Sequence, residues 1–148
     1  MDFHNIEILF AEDSLDDATL TIRALKKCGF SNKLFHVKDG AEALEFLYCT
    51  GNYMHRNITE KPKLILLDLK MPKISGLQVL EKIKLDPNLK SIPVVILTSS
   101  RENPDIEKCY SFGANSYIVK PVESDNFFNA IKDIGLYWMI LSQPAQNS

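Results

Sequence analysis

A short apolar run that ends in a carboxylate constrains this chain more than any other stretch. Four aliphatic residues, Leu64 to Leu67, precede Asp68, and prolines flank the segment at Pro62 and Pro72. A continuous apolar run of this length is typical of a strand buried on both faces in a parallel sheet. Asp68 would then lie at the carboxyl end of the strand, where open α/β sheets bind ligands. Taken alone, the pattern is equally compatible with an aspartate that only begins a loop or caps a helix.

The size and charge of the chain restrict the classes of function. With 148 residues, 45% hydrophobic, and a formal net charge of -2, the sequence predicts one globular domain. The charge offers no basic surface to nucleic acid or to an anionic membrane, and no apolar run reaches the roughly 18 residues of a membrane helix. Met1 to Glu7 lacks the features of a signal peptide. We therefore expect a cytoplasmic protein that binds neither nucleic acid nor membrane.

The cysteines are consistent with that location. Cys28, Cys49 and Cys109 are widely scattered and have no spacing suited to zinc or to redox work. They predict buried or half-buried thiols in a reducing compartment. The histidines share no motif either, and His36 is interpreted, like the others, as a surface or packing residue.

Apolar segments and amphipathic segments alternate along the whole chain. The predicted strands are 6–10, 34–37, 64–68, 93–98 and 115–119. The predicted helices are 15–28, 41–49, 76–85, 104–112 and 124–141. Short strands joined by helices predict right-handed crossovers, and hence an α/β fold with a doubly wound, five-stranded parallel sheet and five helices. One domain is expected over 1–142, including an extension of the last helix, with a flexible tail at 143–148.

Three local patterns refine this outline. Ser14 followed by Asp17 resembles a capping box at the start of the first helix. Asp39-Gly40 is interpreted as a turn after the second strand. The polar segment 51–62 is interpreted as an irregular surface loop, because it carries Gly51 and several polar residues and has no apolar periodicity.

Polar side chains follow the apolar strands at the same edge of the predicted sheet. Glu12 and Asp13 end the first strand, and Asp68, Thr98 and Lys120 end the third, fourth and fifth. Three carboxylates that meet at one edge repel each other unless a cation lies among them, and hard oxygen ligands suit Mg²⁺. A lysine and a hydroxyl beside such a metal would complete a site for an anion, of which phosphate fits best.

These dispersed residues resemble, in order and spacing, the receiver domains of two-component response regulators. The resemblance covers about residues 6–136. It depends on six motif elements, which together are far more specific than any one of them alone. The elements are Glu12-Asp13, Asp68, Met71-Pro72, Gly76, Thr98 and Lys120-Pro121. It implies a flavodoxin-like fold and a phosphorylation-dependent signalling switch in a phosphorelay.

The resemblance implies a chemical role for each residue of the cluster. Asp68 would accept a phosphoryl group from a phosphohistidine on a sensor histidine kinase. Glu12, Asp13 and Asp68, with the backbone carbonyl of Lys70, would hold Mg²⁺. Lys120 would pair with the phosphoryl oxygens, and its peptide bond to the following proline is expected to be cis. Such a protein is a phosphoacceptor that assists its own phosphorylation and autodephosphorylation rather than an enzyme.

The resemblance also implies which residues respond to the phosphoryl group. Thr98 would move to hydrogen-bond it, and Tyr117 would turn inward as the aromatic switch residue. Without the family, Tyr117 would be interpreted as a half-buried sheet residue. Lys70 and Ser100 stand where relatives tune the lifetime of the phosphoryl group. The switch face would comprise the fourth helix, the fifth strand and the fifth helix.

Two departures from a minimal receiver narrow the resemblance to single-domain regulators paired with bacterial phytochrome kinases. The segment 51–61 is long, and an aromatic extension at 137–141 follows the last helix. We expect a stand-alone receiver without an output domain. In those relatives the switch face and the extension form a symmetric homodimer, and Phe128, Tyr137 and Trp138 would supply its apolar surface. The alternative is that Trp138 packs on its own core.

Other classes of function also place an aspartate after a buried strand. A phosphohydrolase of the haloacid dehalogenase type requires a second acid two residues later, where this chain has Lys70. A degenerate receiver that only binds partners would have lost some of the acids or Lys120, and none is lost. A flavodoxin-like cofactor binder needs a phosphate-binding loop after the first strand, which the residues after Asp13 do not provide.

Overall fold

The computed structural model describes residues 6–27 and 34–133, in which parallel strands alternate with helices. The strands are β1 (Ile8–Ala11), β2 (Leu34–Val37), β3 (Leu64–Asp68), β4 (Val94–Thr98) and β5 (Ser116–Val119). The α-helices are α1 (Leu15–Lys27), α2 (Gly40–Tyr48), α3 (Gly76–Leu85), α4 (Asn103–Ser111) and α5 (Ser124–Asp133). The strand order is β2-β1-β3-β4-β5 and every pair is parallel, which confirms the predicted fold class.

The sheet lies between two helical layers. Alternate residues of the central strands point to opposite faces, so that Leu9 and Ile65 contribute to one core while Phe10 and Leu66 contribute to the other. The first core packs against α2, α3 and α4, and the second packs against α1 and α5. β1, β3 and β4 are buried along their whole length, which explains why their sequences are continuous apolar runs.

The chain bends after β2 as predicted, but Asp39 is the N-terminal cap of α2 and Gly40 is the first helical residue instead of part of a turn. The Asp39 Oδ1 atom accepts a hydrogen bond from the Glu42 amide at 2.8 Å, and α2 begins at Gly40. A capping aspartate and a turn aspartate share the same preference for bonding a nearby amide, and only the helical residues that follow distinguish them.

The segment 51–62 is a largely exposed surface loop, as predicted, but contacts that the sequence did not reveal hold it in place. It contains a short 3-10 helix (Gly51–Tyr53), and the Tyr53 ring is buried against Phe46 at a centroid distance of 5.3 Å. The Arg56 guanidinium lies 3.8 Å from the centre of the Phe46 ring and donates to the carbonyls of Phe46 and Glu60. The segment is therefore fixed to the C-terminal end of α2 by cation–π and hydrogen-bonding contacts.

Replacing Arg56 by Ala is expected to destabilise the protein by about 1–2 kcal/mol, because one substitution removes a cation–π contact and two hydrogen bonds to carbonyls. Urea denaturation monitored by circular dichroism measures this change. His55→Ala is the matched control, since His55 is an exposed neighbour in the same segment. Equal urea midpoints of unfolding for Arg56→Ala and His55→Ala would show that Arg56 does not hold the segment 51–62 in place.

Several predictions concern residues outside the described ranges. The continuation of α5 to Leu141, the tail at 143–148, Cys28 and the aromatic residues Tyr137 and Trp138 all lie there, so they stay predictions. Within the described ranges, Cys109 is buried, Cys49 is half-buried, and both are free thiols. No helix in those same ranges is long and apolar enough to cross a membrane.

Candidate functional site

The parallel register brings the polar strand ends to one edge of the sheet. Asp68 pairs with Leu97, so Thr98 is the next residue along β4, and Thr98 pairs with Val119 at the end of β5. The Lys120 amide donates to the Thr98 carbonyl at 2.7 Å, which extends the same ladder by one residue. The predicted convergence of these ends is therefore present in the fold.

Three carboxylates meet at this edge. One oxygen each from Glu12, Asp13 and Asp68 lies within 4.8 Å of the others. Glu12 and Asp68 are buried, with 1% and 5% of their surface exposed, whereas Asp13 is exposed. The second Glu12 oxygen, Oε2, accepts from the Ser14 amide at 3.2 Å, which fixes the direction of the carboxylate. Such a group of hard oxygen donors, open to solvent on one side, fits a divalent cation that keeps part of its water shell.

Lys120 is the cation that accompanies these acids. Its ammonium lies 2.7 Å from Glu12 Oε1, 2.9 Å from Asp17 Oδ2 and 3.5 Å from Asp68 Oδ1. Only 14% of its side chain is exposed. The peptide bond from Lys120 to Pro121 is cis, as the resemblance implied. The lysine is thus shared among three carboxylates rather than paired with one.

Burial and charge shift the pKa values of this group in opposite directions. Burial, followed by the negative charge of Glu12, raises the pKa of Asp68 to about 7, although the Lys120 ammonium acts to lower it. Burial alone would lower the pKa of Lys120, but hydrogen bonds to Glu12 and Asp17 and the charge of Asp68 raise it above the ordinary value. Without a metal ion the cluster therefore holds more negative charge than one lysine neutralises.

The hydroxyl groups after β4 form a network that leads away from the acids. The Thr98 hydroxyl oxygen accepts from the Ser100 amide at 3.2 Å, and the Ser100 hydroxyl donates to Asp105 Oδ2 on α4 at 2.6 Å. The half-buried Tyr117 donates its hydroxyl to the Ser100 carbonyl at 3.0 Å. Thr98 and Tyr117 are thus joined through Ser100, while the predicted effect of Ser100 on a phosphoryl lifetime stays a prediction.

Lys70 follows Asp68 by two residues and its side chain is exposed. The predicted ligation by its backbone carbonyl and its predicted effect on lifetime stay predictions.

Two residues of the site are absent from the sequence-based predictions. Asp17 was interpreted only as part of a capping box, and Ser14 Oγ does accept from the Asp17 amide at 3.2 Å. The Asp17 carboxylate, however, binds Lys120 instead of returning to the cap. His36, interpreted as a surface or packing residue, is half-buried and lies with Nε2 2.7 Å from the Glu12 carbonyl oxygen. No sequence motif marks the contact of Asp17 with Lys120 or of His36 with Glu12, because each joins segments distant in sequence.

Comparison with known proteins identifies relatives of this chain. The family described as the response regulator receiver domain matches residues 8–132. The response regulator Rcp1 of Synechocystis sp. is 37% identical over 132 residues, which are 89% of this chain and 88% of Rcp1.

Solved structures agree with the sequence match. The bacteriophytochrome response regulator RtBRR superimposes with a TM-score of 0.84 and 45% identity, covering 94% of this chain and 83% of that one. The Mn²⁺-bound form of Rcp1 gives a TM-score of 0.74 and 36% identity, with coverage of 95% and 99%. The phosphorylated cyanobacterial phytochrome response regulator RcpA superimposes with a TM-score of 0.74 and 38% identity, covering 92% of this chain and 94% of that one.

Proposed function

Because the chain belongs to the response regulator receiver domain family, we propose that it is a signalling switch in which Asp68 accepts a phosphoryl group. Receiver domains act in two-component signalling, bind a divalent metal at an acidic pocket and work with histidine kinases. The observation that carries the proposal is the position of Asp68, a buried carboxylate at a strand end, beside two other acids and 3.5 Å from an ammonium. The donor is a phosphohistidine of a sensor kinase.

The chemistry assigned to Asp68 is the formation of an acyl phosphate. One carboxylate oxygen attacks phosphorus, the bond from phosphorus to the histidine nitrogen breaks, and its electron pair returns to the imidazole. Lys120 contributes positive charge beside the oxygens of the transferred group. Asp68 is a phosphoacceptor that assists this transfer and the later hydrolysis, so the protein is a switch rather than an enzyme with an external substrate.

The acidic group supports Mg²⁺ as the metal. The oxygens of Glu12, Asp13 and Asp68 are hard donors, and they would hold the ion together with the backbone carbonyl of Lys70. When bound, the cation supplies positive charge that offsets the repulsion between the carboxylates and the incoming phosphoryl oxygens. The Mn²⁺-bound form of the relative Rcp1 supports a divalent ion here.

The hydroxyl network supports a route from the phosphoryl group to α4. Movement of Thr98 toward the phosphoryl group would pull on the Ser100 amide, which bonds its hydroxyl oxygen. Ser100 in turn contacts Asp105 on α4 and the Tyr117 hydroxyl on β5. A shift of Thr98 would therefore change the positions of α4 and the Tyr117 ring together, which makes α4, β5 and α5 the signalling face.

The identity of the kinase, the homodimer and the location of the protein are further proposals. The relatives RtBRR and RcpA are named for phytochromes, which supports a bacterial phytochrome as the source of the phosphoryl group. A homodimer through α4, β5, α5 and the C-terminal extension also remains a proposal, as does the cytoplasmic location.

The first test is intact mass spectrometry after incubation with Mg²⁺ and acetyl phosphate. The wild-type chain is expected to gain one phosphoryl group, and the gain is expected to require Mg²⁺ and to be lost in Asp68→Asn, because the amide is a far weaker nucleophile than a carboxylate. Asp39→Asn is the control, since Asp39 is a buried aspartate that caps α2 outside the acidic group.

A phosphoryl group that persists in Asp68→Asn would contradict the assignment of the acceptor. No adduct on the wild-type chain, from acetyl phosphate or from a phosphorylated histidine kinase, would remove the switch as the function.

A further inference from the structure

Asp17 gives Lys120 a partner outside the acidic group. The Lys120 amine donates to Asp17 Oδ2 at 2.9 Å, a shorter separation than the 3.5 Å to Asp68 Oδ1. Asp17 is not among the three acids whose oxygens gather within 4.8 Å. Its side chain is 42% exposed, whereas the Glu12 side chain is fully buried. The ammonium therefore bridges the buried acids and a separate acid at their rim.

The start of α1 leaves the Asp17 carboxylate available for this contact. The Asp17 amide is capped by Ser14 Oγ at 3.2 Å, and the Ser14 amide is already bonded to Glu12 Oε2 at 3.2 Å. A reciprocal capping box would need that Ser14 amide for the Asp17 carboxylate. Since Glu12 occupies it, the Asp17 side chain is directed to Lys120 instead.

The surroundings leave room for the ammonium to shift toward Asp17. A cavity of about 280 Å³ adjoins the ion pair, and Asp68 does not line it. It is lined by Asp17, Leu20, Thr21, Ser99, Lys120, Pro121 and Val122. This volume is several times that of one water molecule, about 30 Å³. The ammonium, which already lies 2.9 Å from Asp17 Oδ2, thus has open space beside this partner.

A divalent cation and Lys120 compete for the same oxygens. A cation held by Glu12, Asp13 and Asp68 would lie close to an ammonium that is 2.7 Å from Glu12, and like charges at such separations repel. An ammonium that leaves Glu12 and Asp68 needs another counter-ion, because a largely buried charge is costly without one. Of the acids described around Lys120, Asp17 alone stands outside the metal-binding group.

We propose that Asp17 is a positioning residue that receives the Lys120 ammonium when a divalent cation occupies the three carboxylates. This inference rests on the proposed function of the acidic group. Asp17 lowers the cost of metal binding and keeps the lysine beside Asp68, where its ammonium remains available to the phosphoryl oxygens.

The test measures Mg²⁺ affinity by isothermal titration calorimetry on the wild-type chain and three variants. Asp17→Asn is expected to weaken Mg²⁺ binding by about threefold to fivefold, the upper part of the range for a partly exposed ion pair. Asp16→Asn is the matched control, because Asp16 is exposed in the same helical turn and carries the same charge. It should stay within about twofold of the wild type, and Asp17→Glu should restore most of the affinity.

A second measurement separates positioning from a general structural effect. In the acetyl phosphate reaction, Asp17→Asn should raise the Mg²⁺ concentration needed for half-maximal rate by the same factor, and the rate at saturating Mg²⁺ should not exceed the wild-type rate, because Asp17 also keeps Lys120 beside Asp68. Equal weakening by Asp16→Asn and Asp17→Asn would overturn the inference, since only overall charge would then matter. Unchanged Mg²⁺ affinity in Asp17→Asn, with or without a lower maximal rate, would overturn it too. A wild-type chain that binds Mg²⁺ but forms no adduct would instead count against the proposed function.

Discussion

Lys120→Met is expected to lower the Tm of the metal-free protein by about 6–12 °C. The substitution removes an ammonium that contacts Glu12, Asp17 and Asp68, and leaves the buried carboxylates of Glu12 and Asp68 without it. Removing one partner of a buried ion pair costs about 3 kcal/mol or more, and 1 kcal/mol corresponds to about 2–4 °C in a domain of this size. Thermal melts in EDTA measure the change.

The decrease in Tm caused by Lys120→Met should become larger as the pH rises. The folded-state pKa of Asp68 is raised to about 7, above its ordinary value, so the folded chain holds this proton more tightly than the unfolded chain. The favourable contribution of the protonated group is therefore present at low pH and is lost as the pH rises from about 4 to about 7. Lys120 acts to lower this pKa. The difference in Tm between Lys120→Met and the wild type should accordingly be small at pH 5 and large at pH 8.

Two controls make this result specific to the acidic group. Mg²⁺ should restore more stability to Lys120→Met than to the wild type, because the cation replaces the missing positive charge. Lys63→Met removes a lysine that pairs with Glu7 at 3.0 Å but is 51% exposed, so its Tm should change by no more than about 2 °C. Similar losses in the two variants, or no rescue by Mg²⁺, would show that the carboxylates do not depend on Lys120.

The positions of the main site residues could be predicted because topology determines them. Once the apolar runs are assigned to parallel strands, Glu12, Asp68, Thr98 and Lys120 must meet at one sheet edge, whatever the side-chain conformations. The contacts of Asp17 could not be predicted in this way. Its partner Lys120 lies 103 residues away, and the direction of the carboxylate depends on the Glu12 oxygen that already holds the helix cap.

Side-chain direction also explains the other differences between the predictions and the fold. The Ser100 hydroxyl is directed to Asp105, and this contact depends on where the first turn of α4 is placed. The segment 51–62 has the polar composition of a loop, yet Tyr53 and Arg56 form aromatic and cation–π contacts with Phe46. A single tyrosine and a single arginine in a polar segment carry no periodicity, so sequence patterns do not reveal such contacts.

Gly76→Ala is expected to destabilise the protein by about 3 kcal/mol and to slow phosphorylation of Asp68. A Cβ atom at Gly76 would overlap the Asp68 carbonyl oxygen and lie 2.9 Å from Leu69 Cα, and backbone atoms cannot rotate away. The Gly76 amide donates to the Leu69 carbonyl at 2.9 Å, so the first turn of α3 is held directly against the residue after Asp68. Urea denaturation and the acetyl phosphate reaction measure the two effects.

Gly51→Ala is the control that distinguishes the close contact of Gly76 with the Asp68 backbone from the general cost of replacing a glycine. Gly51 has a φ of 55°, and an added Cβ would meet only the flexible carboxylate end of Glu45. The left-handed backbone should cost about 1 kcal/mol, and phosphorylation should keep its wild-type rate because Gly51 lies in the segment that follows α2. A Gly76→Ala variant as stable and as reactive as Gly51→Ala would mean that α3 can move away from Asp68 without consequence. A large loss confined to Gly76→Ala would instead show that the glycine of the Met71-Pro72 to Gly76 motif is required by contact between α3 and the acceptor strand.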